Sequence, residues 1–146
     1  MSQHTRRTLM SFATAAALML SVPAFAQSAA KSGKSQAVFQ ISDNDPQKWN
    51  LALNNAKNVQ VDLGEEAVEL EIVVYGPGIS MLKGDSPVAA RVAAALKSGV
   101  KVVACENTMK AQKLVYADML PNIGYVLAGV VELINKQREG FAYIRP

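Results

Sequence analysis

Two runs constrain the fold most. Val68 to Tyr75 is largely apolar and β-branched towards its end, and Val100 to Ala104 is apolar apart from Lys101. Short apolar runs without strict alternation, each closed by a turn or a helix start, predict strands of a parallel sheet covered on both faces. Parallel strands need crossover connections, usually helices, so helical patterns should lie between them. They do. Asp45 and Pro46 supply an N-cap and a first-turn proline for a helix carrying Trp49, Ala52, Leu53 and Ala56 at helical spacing. Ser86 and Pro87 open a second helix with the stripe Val88, Val92, Ala95 and Leu96, and Gly99 sits where a left-handed C-cap residue is wanted. A short helix from about Asn107, a turn around Pro121, a strand from about Ile123 to Leu127, and a helix from Gly129 to Glu139 ended by Gly140 follow. Short strands at Ala37 to Ile41 and Phe141 to Ile144 complete the set. The reading is one domain, residues 37–146, folded as a three-layer α/β/α sandwich with a mostly parallel five-stranded sheet whose edges other subunits would cover. Residues 27–36, rich in Ser, Ala, Lys and Gly, read as a flexible lead-in.

The first 26 residues read as a secretion signal: a charged start from Met1 to Arg7, an apolar stretch from Leu9 to Leu20, and the small-x-small end Ala24, Phe25, Ala26. The apolar run is too short for a membrane anchor, which needs about 18 or more such residues. Arg6 and Arg7 fit either the general or the twin-arginine export route. The expected compartment is the periplasm. Cleavage after Ala26 leaves 120 residues with 13 basic and 12 acidic side chains, and it removes His4, the only histidine. A nearly neutral domain has little attraction for nucleic acid or, once the signal is cut, for membranes. Without histidine there is no Ser-His-Asp triad, no Cys-His pair and no histidine metal site. One cysteine excludes an internal disulfide and a CxxC pair. No metal or cofactor is implied.

In open α/β sheets ligands bind outside the carboxyl ends of the strands. The segments there are Tyr75 to Gly78, Cys105 to Thr108, and Ala128 to Gly129. Gly76, Pro77 and Gly78 lack bulk that would keep a ligand from the backbone, though such a triplet is more often only a turn. Gly129 opens a helix whose amides favour anions. Cys105 falls between a buried strand and a helix N-terminus, where thiolate is favoured over thiol. Glu106 opposes this through its adjacent charge. Asn107 or Thr108 is the expected N-cap, and the other is free to hydrogen-bond the sulfur or a ligand. Equally, Cys105 can be a small buried hydrophobe that finishes its strand. Glu65, Glu66, Glu69 and Glu71 read as a solvated patch, Lys110 and Lys113 as surface lysines, and Tyr116 and Asp118 as part of a loop bordering the site.

From Val100 onward, VKVVACENTMKAQKLVYADMLPNIGYVLAGVVELINKQREGFAYIRP resembles the DsrE/DsrF-like family of sulfur-relay proteins, and the earlier VVYGPGISML is similar to its second strand and loop. The most specific part is the order: apolar strand, Cys-x-Asn-Thr, a proline loop, AGVVEL, EGFAYI. The resemblance implies a small α/β domain that assembles into homotrimers or hexamers. It also implies a strand-end cysteine, here Cys105, that takes sulfane sulfur as a persulfide from a donor protein and passes it to an acceptor. Asn107, Thr108, Gly76, Pro77, Gly78 and Gly129 would shape the substrate pocket. The well-described relay members act in the cytoplasm, whereas this chain carries an export signal. Three readings therefore stand at this point: a sulfur carrier using Cys105, an oligomeric scaffold or small-ligand binder in which Cys105 only packs, and redox sensing through an intermolecular disulfide.

Overall fold

A computed structural model of the protein describes residues 33–146. Residues 1–26, read above as a signal, and most of the expected lead-in at 27–36 lie outside the described residues. The chain runs β1 (Ser35–Ile41), α1 (Pro46–Leu63), β2 (Val68–Val74), α2 (Ala89–Lys97), β3 (Lys101–Cys105), α3 (Glu106–Ala111), β4 (Gly124–Val126), α4 (Gly129–Glu139) and β5 (Ala142–Ile144). Short 3-10 segments occupy Glu65–Ala67, Gly76–Leu82 and Tyr116–Asp118. All five strands are parallel, in the order β4-β3-β2-β1-β5. The sandwich read from the sequence is the fold observed.

The strand order decides where the helices go. From β1 to β4 the chain steps across the sheet in one direction, and right-handed crossovers then place α1, α2 and α3 on one face. The return from β4 to the far side of β1 reverses direction and puts α4 on the other face. Core packing follows this division. Phe39, Ile72 and Val102 lie side by side across β1, β2 and β3 and are buried with Trp49, Leu53 and Val92 from α1 and α2. The opposite face holds a smaller cluster of Val38, Val73, Val103, Leu133 and Phe141 under α4.

Local signals explain the boundaries. The Asp45 carboxylate accepts from the Gln47 amide at 2.8 Å and caps α1. Gly99 turns the chain out of α2 with φ +87°, a conformation that costs a residue with a Cβ. Other boundaries differ from expectation. β1 begins at Ser35, ahead of Ala37, because Ser35 and Gln36 pair with Val68 and Glu69 and the Gln36 amide donates to the Glu69 carboxylate at 3.1 Å. Ser86 to Val88 forms a turn before α2, with the Val88 amide donating to the Ser86 hydroxyl at 3.3 Å. β4 shrinks to three residues at the sheet edge, where only β3 pairs with it.

The acidic patch also needs correction. Glu71 is buried, on the strand face beneath α4. Its carboxylate lies 3.6 Å from the Lys136 ammonium, which also meets Glu132 at 3.8 Å and Glu139 at 3.0 Å. The second oxygen, Oε1, has no hydrogen-bond partner. Burial dominates and, with Glu132 nearby, pushes the Glu71 carboxyl up to about 7 despite Lys136 and Lys101. Alternating strand geometry sends Glu71 inward, and the sequence does not show which face α4 will cover.

Candidate functional site

Cys105 ends β3 and is itself the N-cap of α3, so the helix starts at Glu106, ahead of the expected Asn107 or Thr108 cap. This shift matters chemically. At the N-cap a side chain stands before the amides of the first turn, and here those amides belong to Asn107, which also bonds the Leu127 carbonyl, and Thr108. Cys105 shares a face of β3 with Val103, so its sulfur points to the side that α4 covers. There it meets the first residue of α4, Gly129. Two chain segments thus bring backbone N–H groups towards one sulfur.

Cys105 is 5% exposed. As a donor it faces the Leu127 carbonyl, with sulfur and oxygen 3.8 Å apart. Burial works to raise its pKa, but the Thr108 hydroxyl and the amides of Gly129, Thr108 and Asn107 outweigh it, leaving the thiol more acidic than usual. Thr108 is held for this task. Its hydroxyl oxygen accepts from the Gly76 amide at 2.9 Å, which leaves its one O–H free to donate to sulfur. Gly76 adopts φ +56°, a left-handed conformation that aims its amide at Thr108.

The other sequence candidates separate into distinct roles. Gly129 is tightly packed as well, since a Cβ there would lie 3.0 Å from the Tyr75 side chain. Gly78 lies in packing: its amide donates to Ser42 and a Cβ would sit 2.9 Å from the Ile41 carbonyl oxygen. Pro77 is exposed in the first turn of the 3-10 segment and makes no approach to the sulfur in the contacts of this region. The Asn107 amide donates to the Leu127 carbonyl at 3.1 Å, and its exposed side chain lines a groove of about 420 Å³ with Glu106, Met109, Lys110, Leu114, Val115, Tyr116 and Leu127. That groove adjoins Cys105 but does not include it.

Glu106 does not oppose the thiolate as expected. Its carboxylate accepts from the Tyr116 hydroxyl, and it is not among the groups that set the acidity of Cys105. Tyr116 in turn packs edge-on against Tyr125, with ring centres 4.6 Å apart. Asp118 accepts from the Val115 amide at 2.8 Å and shapes the loop. Lys110 and Lys113 are exposed. Tyr75 and Leu127 are site residues that the sequence did not single out; the first packs on Gly129 and the carbonyl of the second accepts the hydrogen bond of the thiol. Nothing in their residue types marks them, because Tyr75 acts through its ring position and Leu127 through its carbonyl. Among the described residues no group of three or more His, Cys, Asp or Glu side chains could hold a metal ion. What the arrangement offers is a sulfur with donors placed for negative charge.

No curated protein matches the chain at significant similarity. Among solved structures, a protein of unknown function from Methanobacterium thermoautotrophicum, MTH1491, is similar at 34% identity with a TM-score of 0.74, over 77% of this chain and 100% of that one. The sequence model of the DsrE/DsrF-like family matches residues 4–146. With a match over nearly its whole length and the five-stranded parallel sheet described above, the chain belongs to the DsrE/DsrF-like family.

Proposed function

We propose that this protein is an exported, thiol-dependent sulfur carrier that holds sulfane sulfur as a persulfide on Cys105 and hands it to a partner thiol. The observation that carries the reading is the sulfur's setting, with Thr108 and three amides favouring the thiolate. In the loading step the Cys105 thiolate attacks the outer sulfur of a donor persulfide. The donor's S–S bond breaks, the donor leaves as a thiol after taking a proton, and a Cys105 persulfide anion results. In the unloading step an acceptor thiolate attacks that outer sulfur, and Cys105 departs as thiolate. The same donors assist both steps, because they stabilise Cys105 whenever it carries negative charge. No net oxidation occurs, and no metal or histidine is used.

The proposal includes a periplasmic location, following the composition of residues 1–26, and assembly into homotrimers or hexamers that meet a donor and an acceptor protein. It includes no role at nucleic acid or membranes; no helix of the described residues is long and apolar enough to cross a bilayer. One observation favours a second reading, a scaffold or small-ligand binder with a structural thiol: the burial of Cys105, which is only 5% exposed. Intact mass separates the two. After incubation with a persulfide donor, wild type should gain one sulfur, roughly 32 Da, that a thiol reductant removes, and Cys105→Ser should gain none. No adduct in either protein, with Cys105 alkylated only after unfolding, would establish the structural thiol.

A further inference from the structure

A carrier sulfur has to meet its partners, yet Cys105 is buried on the side of the sheet that α4 covers. That cover is thinly held. Of the 11 residues of α4 only Gly129 and Leu133 are buried, and the apolar cluster beneath the helix is far smaller than the one on the opposite face. Elements with few buried apolar contacts are the ones that open locally while the rest of a fold stays intact. The two ends of α4 have separate tasks. At its start the Leu127 carbonyl stands 3.8 Å from the sulfur and the Gly129 amide favours the thiolate. About two turns further on, Lys136 lies 3.6 Å from the buried Glu71 carboxylate. Glu71 pairs in register with Lys101, at the opposite end of β3 from Cys105, so sulfur and carboxyl sit at opposite ends of one helix.

We propose that α4 is a lid over Cys105 and that Glu71, Glu132 and Lys136 are its latch, closed while Glu71 holds a proton and released when Glu71 gives the proton up. The geometry sets the direction. Glu71 Oε1 is buried without a hydrogen-bond partner, so ionisation leaves charge where only water could solvate it, and the helix must move to admit water. Glu132 adds repulsion to the ionised form, whereas a protonated Glu71 shares its proton with Glu132. Lys136 does not cancel this charge, because it is divided among Glu71, Glu132 and Glu139. From the strands, Lys101 on β3 is paired with Glu69 at 2.9 Å, and β1 places Val38 beside Glu71 and no titratable group. With the lid closed, burial holds the Glu71 carboxyl at about 7; open to water, it returns towards the ordinary 4.5. The closed lid is therefore favoured below about 4.5, loses that advantage as pH rises to about 7, and changes no further above it.

This lid presupposes the carrier reading, since it explains how a covered sulfur reaches its partners, but its test needs no sulfur donor. Dithiodipyridine, an aromatic disulfide, consumes Cys105 only when the sulfur is uncovered. The ratio of its rate on wild type to its rate on Glu71→Gln cancels the thiolate fraction. That ratio should grow by about 10-fold or more between pH 4.5 and 7 and then stay level. A ratio flat with pH would overturn the latch. Low urea should leave the wild-type rate nearly unchanged, because lifting one helix exposes little surface; a rate that climbs as steeply with urea as global unfolding would overturn the lid. Hydrogen exchange on wild type alone removes any dependence on how the variant folds. Protection of the amides from Leu133 to Glu139 should fall relative to those of β1 over the same pH window, and constant protection would overturn the inference. A sulfur uncovered on this profile that still gains no mass from a persulfide donor would overturn the carrier reading and not the lid.

Discussion

Replacing Glu71 with Gln should change how stability depends on pH more than it changes stability at any one pH. In the folded protein burial holds the Glu71 carboxyl at about 7, against 4.5 for an ordinary glutamate, so the folded state binds this proton more tightly than the unfolded chain does. The contribution is therefore fully present below about 4.5 and is lost as pH rises towards 7, flattening above that. A shift of that size corresponds to at most about 3 kcal/mol, at 1.36 kcal/mol per pKa unit. Relaxation and water entry at the ionised pair should reduce this to about 1–2 kcal/mol. Glutamine cannot ionise, so it removes the loss. Its own packing beside Lys136, which also lies 4.9 Å above the Phe141 ring, adds an offset that does not vary over this range. The assay is urea unfolding of wild type and Glu71→Gln at intervals from pH 4 to pH 8. The stability difference should move in favour of the variant by about 1–2 kcal/mol between pH 4.5 and 7. A difference that stays flat across that window would refute the assignment of a buried, proton-holding carboxyl.

Two further outcomes test the site and its packing. Thr108→Val removes the hydroxyl that favours the Cys105 thiolate and leaves the Gly76 amide without its acceptor, so the thiol pKa should rise, whereas Thr108→Ser should largely restore it; cysteine ¹³Cβ shifts followed through a pH titration report this directly. Gly78→Ala drives a Cβ into the Ile41 carbonyl and should cost about 1–3 kcal/mol in chemical unfolding. Gly129→Ala meets the Tyr75 ring, which can shift, and should cost less.

Residue order alone determined the secondary elements and their parallel arrangement. The runs at Ile72 to Val74 and Val102 to Ala104 are apolar on both faces, so each needs cover on both sides. Caps at Asp45 and Gly99 act over a few residues and are legible for that reason. Cys105 was legible too, as the one thiol at a strand end, but the setting of its sulfur was not. That depended on contacts distant in sequence: Gly76 is held against Thr108 across 32 positions, and the Leu127 carbonyl meets the thiol across 22. The strand order decided the rest. By sending α4 alone to the second face, it buried Glu71 under Lys136, set the Gly129 amide at the sulfur, and turned Val130, Val131 and Ile134 outward. A helical stripe shows that a face is apolar but not what lies against it, because packing partners are fixed by the three-dimensional arrangement of segments far apart in the chain.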